Sequence, residues 1–113
     1  MAGDSFYFDI RAEGTAIFLG PTEARLMDLA WRQPSLTVKS ALAHLGPKSG
    51  LAYTTVMTVL NHLVDKGLLT RKRDGRNFVY QAVINRSAFI RGRLAEIRDC
   101  LKKNFPSESA EID

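Results

Sequence analysis

The sequence predicts a mainly α-helical domain with a small antiparallel β-hairpin, followed by a further long helix. Three segments between residues 20 and 66 place apolar residues at helical spacing. Two runs rich in β-branched and aromatic residues then flank Asp74-Gly75, a strong hairpin signal. Apolar residues recur every three or four positions between Ile90 and Phe105, as in a long helix. A chain of 113 residues has room for one domain and an appended helix, but not for a two-domain enzyme.

Residues 1–19 are predicted to form an N-terminal arm or a short strand pair. Phe6 and Phe8 alternate with Tyr7 and Asp9, which is the pattern of an extended strand. Residues 15–19 form a second short apolar run, which we expect to pair with the first.

The first two helices have recognisable ends. Pro21 suits the first position of a helix, Glu23 is favourable in the first turn, and the pattern continues to Trp31 or Arg32. Thr37 is a natural N-cap for a second helix, which Gly46-Pro47 ends.

The third helix, predicted for residues 53–66, has an apolar face and a polar face. The apolar face contains Val56, Met57, Val59, Leu60, Leu63 and Val64. Short hydrogen-bonding side chains occupy the other side, namely Thr54, Thr55, Thr58, Asn61, His62 and Asp65. Burial of the apolar face would leave this polar face free to contact a partner.

Two predicted strands, 68–72 and 77–83, follow and are joined by Arg73-Asp74-Gly75-Arg76. Asn85 caps a predicted fourth helix, residues 85–105. Its apolar seam resembles that of a coiled coil and is the predicted dimer interface: Ile90, Leu94, Ile97 and Leu101. Residues 106–113 are predicted to form an acidic flexible tail.

Three compact helices followed by a basic hairpin are typical of a winged helix-turn-helix domain, which we predict for residues 20–84. A DNA major groove admits one α-helix. The third helix has an apolar face that can be buried and a polar face that can contact base edges, as a recognition helix requires. The predicted base-facing residues are Thr54, Thr55, Thr58, Asn61 and His62. The predicted contacts to phosphate or the minor groove, centred on the wing at residues 71–77, are Tyr53, Arg71, Lys72, Arg73 and Arg76.

Positive charge is concentrated in one part of the chain. The sequence has 16 Lys and Arg and 12 Asp and Glu, a net charge of +4. Residues 66–103 hold 11 basic and 3 acidic residues, whereas the basic and acidic residues of 1–65 nearly balance. This concentration favours a polyanionic partner such as double-stranded DNA. There are two alternatives to DNA binding. The basic residues could be a solvated hairpin edge, or the domain could be a winged-helix module that contacts only proteins.

Little in the sequence indicates a catalytic or metal site. Cys100 is the only cysteine, which excludes an intramolecular disulfide and a four-thiolate metal site. His44 and His62 lack a cysteine or carboxylate at ligand spacing, and neither a phosphate-binding Gly-rich loop nor a nucleophile elbow is present. We therefore predict no enzymatic activity, no metal, no bound cofactor and no ligand pocket of a few hundred Å³. Trp31 and Tyr80 are expected in the core rather than as stacking platforms.

No apolar run approaches the roughly 20 residues of a membrane span. The first residues also lack the basic and apolar regions of a signal peptide. The sequence thus predicts a cytoplasmic protein with no membrane partner.

Three segments closely resemble the penicillinase-repressor family (BlaI/MecI/CopY type) of bacterial transcriptional regulators. They are LGPTEARLM at 19–27, AYTTVMTVLNHLVDKGLL at 52–69 and GRNFVY at 75–80. The resemblance implies a homodimeric winged-helix repressor that binds an inverted repeat, with the third helix in the major groove. By the family pattern, Thr55, Thr58 and Asn61 match positions on the recognition helix and Arg76 matches the wing.

Two departures from the family concern regulation. Members that sense copper carry a C-terminal Cys-x-Cys pair of motifs, which Cys100 alone does not reproduce. Members that respond to β-lactams are cleaved at an Asn-Phe bond in a longer C-terminal region, and this chain contains Asn104-Phe105 followed by Pro106. The resemblance thus adds a regulatory protease as a partner, while oxidation of Cys100 across a dimer is the other route to regulation.

Overall fold

The structure, a computed structural model, describes residues 7–110. The helices are α1 (Pro21–Arg32), α2 (Val38–Leu45), α3 (Tyr53–Asp65), α4 (Arg86–Asn104) and α5 (Pro106–Ser109), and the strands are β1 (Leu69–Asp74) and β2 (Asn77–Ala82). The predicted order of three helices, a hairpin and a long helix is therefore observed. Within the described range, no helix is long and apolar enough to span a membrane.

The predicted N-terminal strand pair is wrong for the described residues. Residues 7–9 are irregular, and Gly14–Ile17 forms a 3₁₀ turn. Thr15, Phe18 and Leu19 are all buried, so the run is buried at helical spacing rather than on alternate residues. The Asp9 amide donates to the Ile17 carbonyl at 2.7 Å, which makes the segment an arm folded back on this turn. Phe6 lies outside the described residues.

Helices α1, α2 and α3 enclose the core, and their ends agree with the local signals. Thr37 and Ser40 form a capping box at the start of α2, with the Ser40 amide donating to Thr37 Oγ1 at 3.0 Å. Lys66, just after α3, forms a 2.7 Å ion pair with Glu23 in the first turn of α1. This pair joins the end of the third helix to the start of the first.

The two faces of α3 differ in burial as predicted. Val56, Leu60 and Leu63 are fully buried, and the other apolar residues of the predicted face are half-buried. The helix ends one residue earlier than predicted, and Gly67 follows with φ +80°. An L-residue adopts this conformation only at a cost, so glycine suits the turn into β1.

The hairpin differs from its predicted form at the turn. Asp74 is paired with Asn77 in the antiparallel register, so the loop is the two residues Gly75-Arg76 and not the predicted four residues Arg73-Asp74-Gly75-Arg76. Within the hairpin only Gly75, with φ +64°, adopts a positive φ, and Asp74 is the last residue of β1. Leu36, between α1 and α2, adds two backbone hydrogen bonds of 2.8 and 2.7 Å to Tyr80, a third short strand segment that the sequence analysis missed.

Helix α4 is held to the domain at its first turns. Asn85 caps it by accepting a hydrogen bond from the Ala88 amide at 2.8 Å. Phe89 is buried against Trp31 and Phe18, with ring centroids 5.5 and 6.3 Å away. Phe89 lies beside the predicted seam, so the apolar spacing of α4 did not indicate its burial.

The predicted core aromatics are both placed against apolar faces. Tyr80 is fully buried, and the half-buried Trp31 donates from Nε1 to the Ile84 carbonyl at 2.9 Å. Each ring thus keeps a hydrogen-bond partner for its polar atom.

The predicted flexible tail is wrong in its first half. Residues 106–109 form α5, with Pro106 at the first position and the Ser109 amide donating to the Phe105 carbonyl. Proline there and Glu108 in the first turn are signals for a helix start that the sequence analysis did not use. Residues 111–113 of the predicted tail lie outside the described residues.

Candidate nucleic-acid interface

The polar face of α3 is open along most of its length. Four of the five predicted base-facing residues are exposed, namely Thr54, Thr55, Thr58 and His62. Val56 and Leu60 hold the opposite face in the core, so these side chains project from a fixed backbone. The methyl and hydroxyl groups of threonine can contact a thymine methyl or accept and donate hydrogen bonds at a base edge.

The pleat of the hairpin divides the predicted wing cations into two groups. In the register of β1 and β2, Arg71 lies opposite Tyr80 and Arg73 lies opposite Phe78, so these four residues share one face. Lys72 projects from the other face. Arg76 lies in the turn, and all four cations are exposed.

A small cleft separates the start of α2, the first turns of α3 and the hairpin. It measures about 210 Å³, and its lining includes Thr37, Tyr53, Met57, Arg76 and Phe78. Tyr53, which is half exposed, therefore lies on the same side of the molecule as Arg76. The predicted phosphate-contacting residues are thus distributed along two sides of the hairpin and the base of α3.

Asn61 is the predicted base-facing residue whose surroundings differ from the others. It is half-buried, and its Oδ1 accepts two hydrogen bonds, from Arg71 Nη1 at 2.9 Å and from the Tyr80 hydroxyl at 2.8 Å. These bonds connect α3 to both strands of the hairpin. Burial raises the pKa of the Tyr80 phenol, and this effect exceeds the opposing influence of the Arg71 charge and hydrogen bond. Tyr80 is therefore a neutral donor at physiological pH.

Phe78 supports two of the cations. The Arg71 Cζ atom lies 4.4 Å from the centroid of the Phe78 ring, and the Arg73 Cζ atom lies 5.7 Å from it. Both distances are within the range of cation–π attraction. The Phe78 ring therefore fixes part of the guanidinium surface beside α3, a role that the sequence analysis did not assign to it.

The described residues hold no group of three His, Cys, Asp or Glu side chains that could bind a metal ion. The expectation that the chain cannot form a ligand-sized pocket is wrong, however. An apolar groove of about 490 Å³ lies between the N-terminal arm and α4, lined by Phe8, Glu96, Ile97, Cys100 and Leu101. The arm, which the sequence analysis did not place against α4, forms the second wall.

The comparisons with curated proteins cover a little over half of each relative. The transcriptional regulator BlaI of Mycobacterium tuberculosis is 38% identical over 79 residues, which are 69% of this chain and 57% of that protein. The penicillinase repressor of Bacillus licheniformis is 29% identical over 72 residues, which are 64% of this chain and 56% of that protein.

The solved structures confirm the predicted fold class. The solution structure of the DNA-binding domain of the repressor BlaI matches with a TM-score of 0.54 and 28% identity, over 59% of this chain and 82% of that chain. The crystal structure of a possible transcriptional regulator for arsenical resistance matches with a TM-score of 0.52 and 25% identity, over 82% of this chain and 84% of that chain.

A family model extends the match through the hairpin and along α4. The model described as penicillinase repressor matches residues 19–108, which include α1 to α4 and both strands. This is a family of repressors and not of enzymes, in agreement with the predicted absence of enzymatic activity. The predicted resemblance is thereby confirmed, and the chain belongs to the penicillinase repressor family.

Proposed function

We propose that this chain is a sequence-specific transcriptional regulator of double-stranded DNA, acting as a homodimeric repressor at an inverted-repeat operator. One observation carries the proposal: the exposed polar face of α3 is bordered by the exposed cations of the hairpin. The helix face can contact base edges, and the cations beside it can contact phosphates. The relatives named as a transcriptional regulator and as a penicillinase repressor support the same conclusion. We expect the protein to act in the cytoplasm, where the bacterial chromosome lies.

In the proposed complex, α3 occupies the major groove. Thr54, Thr55, Thr58 and His62 face the bases, because they project from the side of α3 opposite the core. Tyr53, Lys72, Arg73 and Arg76 contact phosphates or the minor groove. Lys72 and Arg73 project from opposite faces of the hairpin, so they are expected to reach different phosphates.

A salt titration of binding tests the DNA-binding part of the proposal. Binding to short duplexes selected from a random library should weaken steeply as salt rises, because each phosphate contact releases counterions. The Arg76→Ala variant should reduce the salt slope by about 1, whereas Arg25→Ala, an exposed arginine on α1, should leave it unchanged. A wild-type chain that binds no duplex at low salt would instead identify a module for protein contact.

Sequence preference is tested separately on α3. The Thr58→Ala variant should lose about 1 to 3 kcal/mol on the selected duplex and much less on random duplexes. Ser35→Ala, which removes an exposed hydroxyl between α1 and α2, is the matched control and should change neither value. Equal losses of the Thr58→Ala variant on both kinds of DNA would contradict base reading by this residue.

The homodimer is proposed to form through α4. The molecule extends 54 Å along one axis and 28 and 24 Å along the others, and α4 is a 19-residue helix anchored near its start by Phe89. Leu94 is 50% exposed, and Ile90, Ile97 and Leu101 are half-buried. Since Ile90 and Ile97 also pack against the domain's own core, Leu94 and Leu101 are the seam residues with most surface left to bury. The groove between the arm and α4 continues this face.

Sedimentation of a seam variant tests the dimer. The double variant Leu94→Glu/Ile97→Glu should sediment as a monomer and lose operator affinity, because two half-sites must be held about one turn of DNA apart. The charge-reversing variant Arg91→Glu, at an exposed position on the same helix, is the control and should remain a dimer. A double variant that still sediments as a dimer would refute the proposed interface.

Regulation is proposed to act on this dimer, through a regulatory protease or through oxidation. Asn104 is the last residue of α4, and Phe105 is 55% exposed beside it, so the bond between them lies at an accessible helix end. Cys100 is exposed on α4 and lines the apolar groove. Truncation after Asn104 should raise the dimer dissociation constant, and an unchanged value would exclude cleavage there as the switch. A dimer covalently linked under oxidant but not in Cys100→Ser would support the second route.

No metal or small cofactor is required in this proposal. Operator binding should therefore survive dialysis against a chelator. Loss of binding that zinc or copper restores would contradict this part of the proposal.

A further inference from the structure

Arg71 is held to α3, whereas Arg73 is held only within the hairpin, where its Nε donates to the Gly75 carbonyl at 3.3 Å. The Arg71 Nη1 donates to Asn61 Oδ1 at 2.9 Å, and its guanidinium lies 4.4 Å from the centroid of the Phe78 ring. Among the described residues, Lys72 and Arg76 have no hydrogen-bond or ion-pair partner for their charged groups. Arg71 is therefore oriented before any ligand arrives, whereas Lys72 and Arg76 are not.

The acceptor that orients Arg71 is itself fixed by a buried group. Asn61 Oδ1 also accepts from the hydroxyl of Tyr80 at 2.8 Å, and the Tyr80 side chain is fully buried between the hairpin and the helices. A donor at this depth is costly to leave without an acceptor, so Tyr80 restricts the rotamer of Asn61. The chain of contacts runs from the core through Tyr80 and Asn61 to the exposed guanidinium.

These contacts alter what Asn61 can do at a base edge. An asparagine that reads adenine uses its carbonyl and its amide nitrogen together, as acceptor and donor. Here the carbonyl oxygen already accepts two hydrogen bonds, one for each of its lone pairs, so this paired contact would require at least one of them to break. The Arg71 guanidinium still has N–H donors that are available to a ligand. It lies beside Asn61, which is one helical turn from Thr58 on α3.

A preoriented guanidinium suits a base more than a phosphate. A phosphate can be contacted by a positive charge from many directions, so a flexible side chain is sufficient. The O6 and N7 acceptors of guanine, in contrast, require a planar guanidinium in one orientation. Fixing that orientation in the free protein lowers the entropy cost of the contact. We propose that Arg71 is a specificity-determining residue that reads a guanine in each half-site, and that Asn61 and Tyr80 are its positioning residues.

This inference rests on the proposed DNA-binding function, and a selection experiment tests it. Duplexes selected from a random library by the wild-type chain should contain a guanine that the Arg71→Lys variant no longer selects. The preference for that guanine should fall from about tenfold or more to near none, because lysine keeps the charge but lacks the planar guanidinium. The salt slope should be unchanged. Arg25→Lys, at an exposed arginine of α1 outside the proposed interface, is the control, and it should select the wild-type motif.

The positioning role has its own readout. Asn61→Ala and Tyr80→Phe should weaken preference at the same guanine and leave the other positions of the motif unchanged. Each should add nothing when combined with Arg71→Lys, since all three act on one contact. A purely structural role of Asn61 would instead lower affinity for every duplex equally, and that result would overturn its assignment. Circular dichroism of each variant verifies its fold.

The outcomes separate this inference from the proposed function. A wild-type chain that selects no motif at all would overturn both. A wild-type chain that selects a motif whose guanine survives in Arg71→Lys would overturn only the role of Arg71. Because Arg71 is exposed, its replacement by lysine leaves the core intact, and the test does not depend on the stability of the other variants.

Discussion

Replacing Phe89 by alanine is expected to destabilise the domain more than any change on the exposed surface of α4. The Phe89 side chain is only 3% exposed and contacts the rings of Trp31 and Phe18. Truncating a buried phenylalanine typically costs about 3 to 5 kcal/mol. Trp31 is itself half-buried and can shift into the space, so we expect a value near the lower limit, about 3 kcal/mol. The corresponding fall in melting temperature is roughly 10 to 15 °C for a chain of this length.

Urea unfolding followed by circular dichroism measures this loss. Both proteins must be compared at the same concentration, because the proposed dimerisation would add to apparent stability. Phe105→Ala provides a matched control, since Phe105 is 55% exposed at the other end of α4 and should cost no more than about 0.5 kcal/mol. Equal losses for the two variants, or a loss below about 1 kcal/mol for Phe89→Ala, would refute the conclusion that Phe89 anchors the helix.

Three further predictions follow from single contacts. The pKa of Tyr80 is raised above its ordinary 10.0, so its contribution to stability is complete below pH 10 and is lost as pH rises through the folded pKa. In Tyr80→Phe, the free energy of unfolding from urea titrations should therefore fall less steeply with pH above 10. Gly67→Ala should cost about 1 to 2 kcal/mol because φ is +80°, whereas Gly92→Ala in the middle of α4, where an added Cβ meets open space, should gain about 0.5 to 1 kcal/mol in the same assay. A double-mutant cycle should give Glu23 and Lys66 about 1 kcal/mol of coupling that falls in 1 M salt, and a salt-independent value would contradict their electrostatic attraction.

The elements that the sequence predicted well are those marked by local chemistry. Pro21 begins α1, Thr37 and Asn85 cap α2 and α4, and Gly67 follows α3. Each signal acts within a few residues, because it satisfies the unpaired backbone groups at a helix end or permits a turn. Pro106 is a signal of the same local kind, and it begins α5 where the acidic composition predicted a flexible tail.

Errors arose where the decisive partner is distant in sequence. Five residues, 15–19, are too few to distinguish alternate burial from helical burial, and the Thr15 hydroxyl donates to Asp28, which lies on α1. Leu36 forms a bridge to Tyr80, 44 residues away, and no local pattern indicates that pairing. At the candidate site, the outward position of Asn61 on α3 was predictable, but its acceptor role depends on the strand register.

The same non-local contacts connect α4, the proposed dimer helix, to the surface that is proposed to bind DNA. Phe89 joins α4 to Trp31 of α1, and the Glu23–Lys66 pair joins α1 to the end of α3. Tyr80 then joins the hairpin to Asn61 on α3. Since these contacts are packed or paired, the angle between α4 and α3 is set by the core and not by a flexible linker. In a dimer formed through α4, the separation of the two recognition helices would thus be fixed by each subunit's own core, and a signal that alters the α4 seam would weaken both half-site contacts together.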